Sequence, residues 1–145
     1  MRLYWANSIF SEADRRFNDE VVERLRTAGI DVLSPQHLPF NTAGHDATAA
    51  TIFQTDTSMI ESCDVLAACI DQESIDCGVA CEIGIAWARG KRIVALYTDF
   101  RQHRSGQFRM YKNPYLIGCI QDRGFMVDSV EALISRLTSL PGIDL

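Results

Sequence analysis

Short, continuously apolar segments alternate along the chain with longer segments of helical periodicity. Five of the apolar segments have the length of strands and lack polar alternation: residues 2–6, 30–35, 65–70, 92–98 and 124–127. Strands of this kind are typical of a parallel sheet that is covered on both faces, because neither side of the strand is suited to water. The pattern therefore predicts the α/β class, with one doubly wound domain over residues 1–145 and a five-stranded parallel sheet.

The segments between the strands carry helix signals. Ser11 can cap a first helix that has Glu12 and Asp14 in its first turn and ends at Gly29. Further helices are predicted at 48–62, 76–90, 113–121 and 129–140, and residues 36–47 are predicted to form a loop. Ligands of such sheets collect at the carboxyl ends of the strands. The candidate site segments are therefore 6–9, 35–36, 71–78 and 98–101.

Composition and charge exclude several classes of function. With 145 residues, 47% of them hydrophobic and 23% charged, the chain has a globular composition. A net charge of −5 argues against a nucleic-acid groove, and the short basic stretch 101–109 is interpreted as a solvated loop. The chain begins without the apolar core of a signal peptide and has no membrane-spanning stretch, so we expect a soluble, cytoplasmic protein without a membrane partner.

Metal and cofactor sites are not indicated. The five cysteines form no C-x-x-C pair, and the three histidines lack ligand spacing. Several cysteines lie in apolar segments, where a free thiol behaves as a small hydrophobic group. Neither the glycine-rich dinucleotide motif nor the P-loop motif occurs, so we expect no cofactor and no metal.

A carboxylate stands out in the apolar segment "DCGVACEIGIAWARGK" at 76–91. On a helix, Glu82 lies at the edge of a stripe formed by Val79, Ile83, Ala86 and Trp87. Its side chain leans toward Gly78, which has no side chain to fill the space. The positive end of the helix favours the ionised form, so Glu82 is predicted to be an ionised carboxylate beside a pocket, as a nucleophile requires.

A second carboxylate lies within an apolar stripe of the helix over 48–62. Ile52, Phe53, Met59 and Ile60 define this stripe, and Asp56 lies at its centre. Such a carboxylate is costly unless it is paired, hydrogen-bonded or protonated, although it could also serve to cap a neighbouring loop. Its position favours a functional role with a raised pKa.

Several carboxylates without a metal, histidine or cysteine site suit glycosyl transfer. One carboxylate attacks the anomeric carbon, and an acid protonates the leaving group. Glu82 is predicted to be the nucleophile and Asp56 the acid. Asp76, just ahead of the helix, is by itself most simply a helix cap.

Several segments together resemble the nucleoside 2-deoxyribosyltransferase family over nearly the whole chain. They are "FSEADRRFN" (10–18), the end of the helix from Asp56 to Asp64, "DCGVACEIGIAWARGK" (76–91) and "TDFR" (98–101). The resemblance implies a flavodoxin-like fold and nucleoside salvage. The reaction would exchange the purine or pyrimidine base of a 2′-deoxynucleoside for a free nucleobase, with retention, through a covalent deoxyribosyl-enzyme ester.

The resemblance also assigns roles to individual residues. Glu82 would be the nucleophile, Asp56 would handle the base and its proton, and Asp76 would bind at the base and sugar. Such enzymes are homo-oligomers, dimers or hexamers, in which an Asn from a neighbouring subunit completes the sugar site, and Asn113 matches that residue. Tyr4 and Gln36 match residues that line the pocket. Residues 114–117 form an apolar patch directly after Asn113. The resemblance favours a subunit interface for this patch, and burial in the core of its own chain is the alternative.

One departure from the family leaves another activity open. Many relatives have Ala-Gly-Pro after the first strand, whereas this chain has Ala6-Asn7-Ser8. Related N-glycosidases that hydrolyse nucleoside 5′-monophosphates share the Glu motif and hold phosphate with serines near a helix start, so Ser8 and Ser11 keep this hydrolase reaction as an alternative. A non-catalytic nucleotide-binding domain is a third possibility, which the set of Glu82, Asp76 and Asp56 disfavours.

Overall fold

The five apolar segments form one parallel sheet. The protein was studied as a computed structural model that describes residues 1–42, 46–100 and 112–140. Its strands are β1 (Arg2–Ala6), β2 (Asp31–Leu33), β3 (Val65–Cys69), β4 (Arg92–Leu96) and β5 (Gly124–Val127). Every pairing is parallel and the strand order is β2-β1-β3-β4-β5, which is the flavodoxin-like doubly wound order. The predicted α/β fold class is confirmed.

The helices begin and end close to their predicted limits. They are α1 (Glu12–Thr27), α2 (Ala49–Ser62), α3 (Cys77–Ala88), α4 (Pro114–Arg123) and α5 (Val130–Thr138). Ser11 caps α1 by accepting a hydrogen bond from the Asp14 amide, as its position predicts. Gly29 and Gly90 follow α1 and α3 with φ of 83° and 69°, a conformation that favours glycine. The predicted loop contains two short 3₁₀ turns, Pro35–His37 and Pro39–Asn41, and its residues 43–45 lie outside the described chain.

Helices cover both faces of the sheet. Alternate residues of β1 point to opposite faces, so that Tyr4 joins a core with α2, α3 and α4, whereas Leu3 and Trp5 join a core with α1 and α5. Cys63 and Cys69 are buried, one in each core, as apolar cysteines are expected to be. The two-sided cover agrees with the absence of polar alternation in the strands.

The apolar stripe predicted for α3 is only partly buried. Val79, Ile83 and Ala86 lie in the core, but Trp87 is partly exposed and its indole N–H donates to Asp122 at 2.8 Å. An indole tolerates this position because its N–H retains a polar partner. The buried part of this stripe is therefore narrower than the sequence predicts. The edge beside Glu82, at Ala86, is buried, and the opposite edge, at Trp87, is not.

The basic stretch 101–109, which was predicted to be a solvated loop, lies outside the described residues. Within the described part of the chain, no helix combines the length and apolar character needed to cross a membrane.

Candidate active site

Glu82 is held by a tyrosine from the centre of the sheet. The hydroxyl of Tyr4, a buried residue of β1, donates a hydrogen bond of 2.6 Å to Oε1 of Glu82. Tyr4 projects toward α3 because its strand position faces that core, and a buried phenol requires a polar partner. The contact joins residues 78 positions apart and fixes the Glu82 carboxyl of α3 against β1, and the charge of Asp56 on α2 acts on the same carboxyl.

The protonation of Glu82 differs from the sequence prediction. Burial raises its pKa to about 8; the Tyr4 hydrogen bond opposes this shift, and the charges of Asp56 and Asp76 add to it. The prediction of an ionised Glu82, stabilised by the helix dipole, is therefore wrong. Desolvation and two neighbouring carboxylates outweigh a dipole that acts only within the first helical turn.

Asp56 lies on α2 within electrostatic reach of Glu82. Its Oδ1 atom is buried and has no hydrogen-bond partner among the described residues, and desolvation raises its pKa to about 6. The predicted raised pKa is confirmed. The apolar stripe around Asp56 is buried only at one end, because Ile60 lies in the core whereas Ile52 and Phe53 are exposed.

Asp76 caps α3, as its position predicts. Its Oδ1 accepts hydrogen bonds from the amides of Gly78, at 2.8 Å, and Val79, at 3.2 Å. A Cβ at position 78 would lie 2.9 Å from this oxygen. Gly78 therefore accommodates the capping carboxylate, which corrects the interpretation that it leaves space for Glu82 to overhang.

One residue that ties α2 to α3 is not among those predicted from the sequence. Lys91, just after α3, donates from Nζ to the carbonyl oxygens of Glu61 at 2.6 Å and Cys63 at 2.7 Å, at the end of α2. An ammonium at a helix C-terminus satisfies its last carbonyls. Lys91 thereby holds the helix of Asp56 against that of Glu82. The Gly-Lys pair that ends the motif was the available signal.

The hydrogen bonds of Gln36 tie it to α1 and not to Glu82. It is 2% exposed, and its amide donates to the Arg15 carbonyl and to Asp19 while accepting from Asn18, all on α1. Asn18 in turn accepts from the Trp5 indole on the α1 side of the sheet. Gln36 is thus part of a buried polar network that fixes the turn after β2 to α1.

Asn113 lies on a different flank of α3 from the Glu82 carboxyl. It caps α4, with its side-chain oxygen accepting from the Tyr115 amide at 2.9 Å. It lines a cleft of about 700 Å³ between α3 and α4, together with Ala80, Gly84 and other residues, but not Glu82. The predicted apolar patch over 114–117 divides here: Leu116 and Ile117 are buried, whereas Pro114 and Tyr115 are exposed.

The geometry brings together four of the predicted site residues, namely Glu82, Tyr4, Asp56 and Asp76. A profile of the family described as nucleoside 2-deoxyribosyltransferase matches residues 3–135. The chain belongs to this family. Membership confirms the resemblance drawn from the motifs, and it supports an enzyme.

Solved structures agree with this assignment to the nucleoside 2-deoxyribosyltransferase family. A conserved protein from Enterococcus faecalis V583 is 34% identical, with a TM-score of 0.84 and a match over 95% of this chain and 97% of that one. A 2-deoxyribosyltransferase from Leishmania mexicana is 21% identical, with a TM-score of 0.71 over 97% and 99% of the two chains. A CMP N-glycosidase from Clostridium botulinum is 18% identical, with a TM-score of 0.64 over 97% and 100%.

The similarity to the Leishmania mexicana and Clostridium botulinum structures shows that this chain and those two proteins share one fold. Their identities to this chain are 21% and 18%. No curated protein sequence matches the chain. The choice between transfer and hydrolysis therefore depends on the chemistry of the site.

Proposed function

We propose that this protein transfers 2-deoxyribose between nucleobases through a covalent ester on Glu82. The observation that carries the proposal is the Glu82 carboxyl, half-buried and held by the Tyr4 hydroxyl at 2.6 Å beside a second carboxyl, Asp56, with a raised pKa. One group can attack carbon while the other manages a proton, which is the division of labour that a retaining glycosyl transfer requires.

Before the first half-reaction, the one proton that the pair holds near neutral pH moves from Glu82 to Asp56. An oxygen of the ionised Glu82 then bonds to the anomeric carbon of the deoxynucleoside. The bond from that carbon to the base nitrogen breaks, and the base leaves with the electron pair and accepts a proton from Asp56. The Tyr4 hydroxyl keeps one Glu82 oxygen occupied, so the other is oriented toward the sugar. The products are a deoxyribosyl ester of Glu82, the neutral free base and ionised Asp56.

The second half-reaction reverses these steps with another base. Asp56 takes the proton from the incoming base as its nitrogen bonds to the anomeric carbon, and the ester bond to Glu82 breaks. Two displacements on the same carbon give retention of configuration. The raised pKa of Asp56, about 6, suits a group that both gives and takes a proton near neutral pH.

The decisive experiment supplies deoxyinosine and free adenine and identifies the products by chromatography. Deoxyadenosine indicates transfer, as proposed. Deoxyribose as the sole sugar product indicates a hydrolase. If neither deoxynucleosides nor their 5′-monophosphates are consumed, the proposal is refuted and the result favours a non-catalytic nucleotide-binding domain.

Contacts at the start of α1 weigh against the hydrolysis of nucleoside 5′-monophosphates. The Ser11 hydroxyl caps the Asp14 amide at 3.0 Å and donates to the Asp14 carboxylate at 2.6 Å. With Glu12 this places two acidic side chains in the first turn, where they oppose a bound phosphate. Ser8 is buried, and its carbonyl accepts from Asn18. These contacts support a substrate without a phosphate.

The position of Asn113 supports an active site shared between two chains. Its own chain places it in the cleft between α3 and α4, whereas the Glu82 carboxyl lies against Tyr4. Tyr115, next to the cap, is 82% exposed, and Trp87 nearby is also partly exposed. Exposed aromatic residues beside an apolar cleft are typical of an interface. We therefore propose a homo-oligomer in which Asn113 reaches the sugar site of a neighbour.

Complementation between two inactive variants tests this shared site. Glu82→Ala and Asn113→Ala are each expected to lose activity, and reassembly of their mixture should restore part of it. Some sites in the mixed oligomer then combine an intact Glu82 from one chain with an intact Asn113 from the other. Activity and oligomer composition are measured after dissociation and reassembly.

Capping by Asn113 requires its own control. Asn113→Asp keeps a side-chain oxygen for the Tyr115 amide but removes the amide donors, so it should preserve thermal stability while losing activity. The shared site is refuted if mixed oligomers form without recovery of activity, or if the active species sediments as a monomer.

A bell-shaped pH dependence of kcat/KM is expected, with limbs near pH 6 and pH 8. Below the pKa of about 6 for Asp56, both carboxyls are protonated and Glu82 cannot attack. Above the pKa of about 8 for Glu82, both are ionised and no proton remains for the leaving base. Between these values the pair holds one proton, which must reside on Asp56 during attack. Rates measured from about pH 5 to about pH 9 test this; a profile still rising at the alkaline end contradicts it.

A further inference from the structure

One face of α2 is buried at its C-terminal half and open at its N-terminal half. Ile60 is 0% exposed, while Phe53, two helical turns earlier on the same face, is 62% exposed. All residues from 49 to 54 are exposed. This face of α2 therefore changes from buried to exposed between Ile60 and Phe53, and Asp56 lies between them.

The direction of α2 determines which space this open face borders. The helix connects two parallel strands, β2 and β3, and so runs against them, with its N-terminal half at the carboxyl ends of the strands. The face of α2 that packs on the sheet at Ile60 therefore extends beyond the carboxyl ends of the strands at Phe53. In doubly wound folds this is the region in which ligands bind.

Phe53 also lies one turn from the proposed proton donor. It precedes Asp56 by three positions, and residues at this spacing are neighbours on a helix surface. The buried Oδ1 of Asp56 and the carboxyl of Glu82 define where the base and the sugar must meet. An exposed aromatic ring one helical turn from Asp56 is near enough to contact a base that Asp56 meets.

We infer that Phe53 is a specificity residue that stacks on the planar heteroaromatic base of the substrate. The inference rests on the proposed function, because it takes Asp56 as the group that meets the base. A ring at the rim binds any purine or pyrimidine through its face without reading its edge groups, so it selects planar bases while tolerating exchange of one for another. Ile52, which is 37% exposed, extends the same apolar surface.

The fluorescence of the free base 2-aminopurine provides the test, because stacking on an aromatic ring quenches it. Wild-type protein is expected to bind and quench the probe without any sugar donor. Phe53→Leu, which keeps an apolar side chain without a ring, should bind about tenfold more weakly and lose the quenching. Phe53→Tyr should retain both, and Gln54→Ala, a change at the adjacent exposed residue, should behave as wild type.

The outcomes separate this inference from the proposed function. Equal affinity and quenching in wild type and Phe53→Leu, or no binding by wild type, overturn the role of Phe53 whether or not deoxyribose is transferred. Quenching that depends on Phe53 in a protein that transfers no deoxyribose keeps the base contact and removes the transferase. If Phe53→Leu instead sediments as a smaller species, the ring packs on a second copy of the chain and the inference is wrong.

Discussion

Glu82→Gln is expected to reduce turnover of deoxynucleosides by about 10³-fold or more, because an amide cannot form the ester with the anomeric carbon. The substitution keeps the size of the side chain and an oxygen that can accept the Tyr4 hydroxyl hydrogen bond, so the site should keep its shape. Chromatographic product assays measure the loss. Wild-type protein treated with a slow 2-fluoro-arabinosyl nucleoside should show a sugar adduct on Glu82 by mass spectrometry. An adduct on Asp76 or Asp56 contradicts the assignment.

The stability of the same variant provides an independent check on the burial of Glu82. Its pKa is about 8 in the folded protein, against an ordinary value of 4.5, so the folded state retains a proton that the unfolded chain releases. The contribution of Glu82 to the free energy of unfolding of the wild type is fully present below pH 4.5. It declines as the pH rises and is lost above about pH 8. Glutamine remains neutral throughout. Glu82→Gln should therefore unfold at a higher temperature than wild type at alkaline pH, and equal unfolding temperatures would contradict the buried position.

Asp56→Asn is expected to slow the release of natural bases by about 10²- to 10⁴-fold, because asparagine keeps the shape of aspartate but cannot donate the same proton. A substrate with an activated leaving group requires little protonation, so its rate should fall far less. Comparing kcat/KM for the two substrates in both proteins gives the result. Equal losses would mean that Asp56 positions the base and that the proton comes from another group.

A change elsewhere on α2 controls for effects on the helix. Glu61→Gln removes a carboxylate of the same helix that forms an exposed ion pair with Arg89 at 2.8 Å. An exposed pair contributes little to stability, so this variant should retain the activity on both substrates. A similar selective loss in Glu61→Gln would show that the effect arises from the helix rather than from Asp56.

The features that could be predicted from the sequence are those that depend on residues adjacent along the chain. Apolar segments without alternation specified buried parallel strands, and each helix is bounded close to its cap or its glycine, because period and capping depend on a few adjacent positions. Asp76 is the cap that its place before α3 indicates. The raised pKa of Asp56 was also predictable, because a carboxylate inside an apolar stripe loses solvation wherever that stripe packs.

Distant parts of the chain decided the remaining features. Nothing near Glu82 in the sequence indicates that Tyr4, 78 positions away, holds it, or that burial by three elements reverses the charge that its helix position favours. Gln36 likewise turns to α1 because its amide finds partners there. Desolvation and hydrogen bonding sum over every group that surrounds an atom, so the sequence by itself determined which elements form and which carboxyls are candidates. Only the tertiary structure decided which groups meet and where the proton of the site resides.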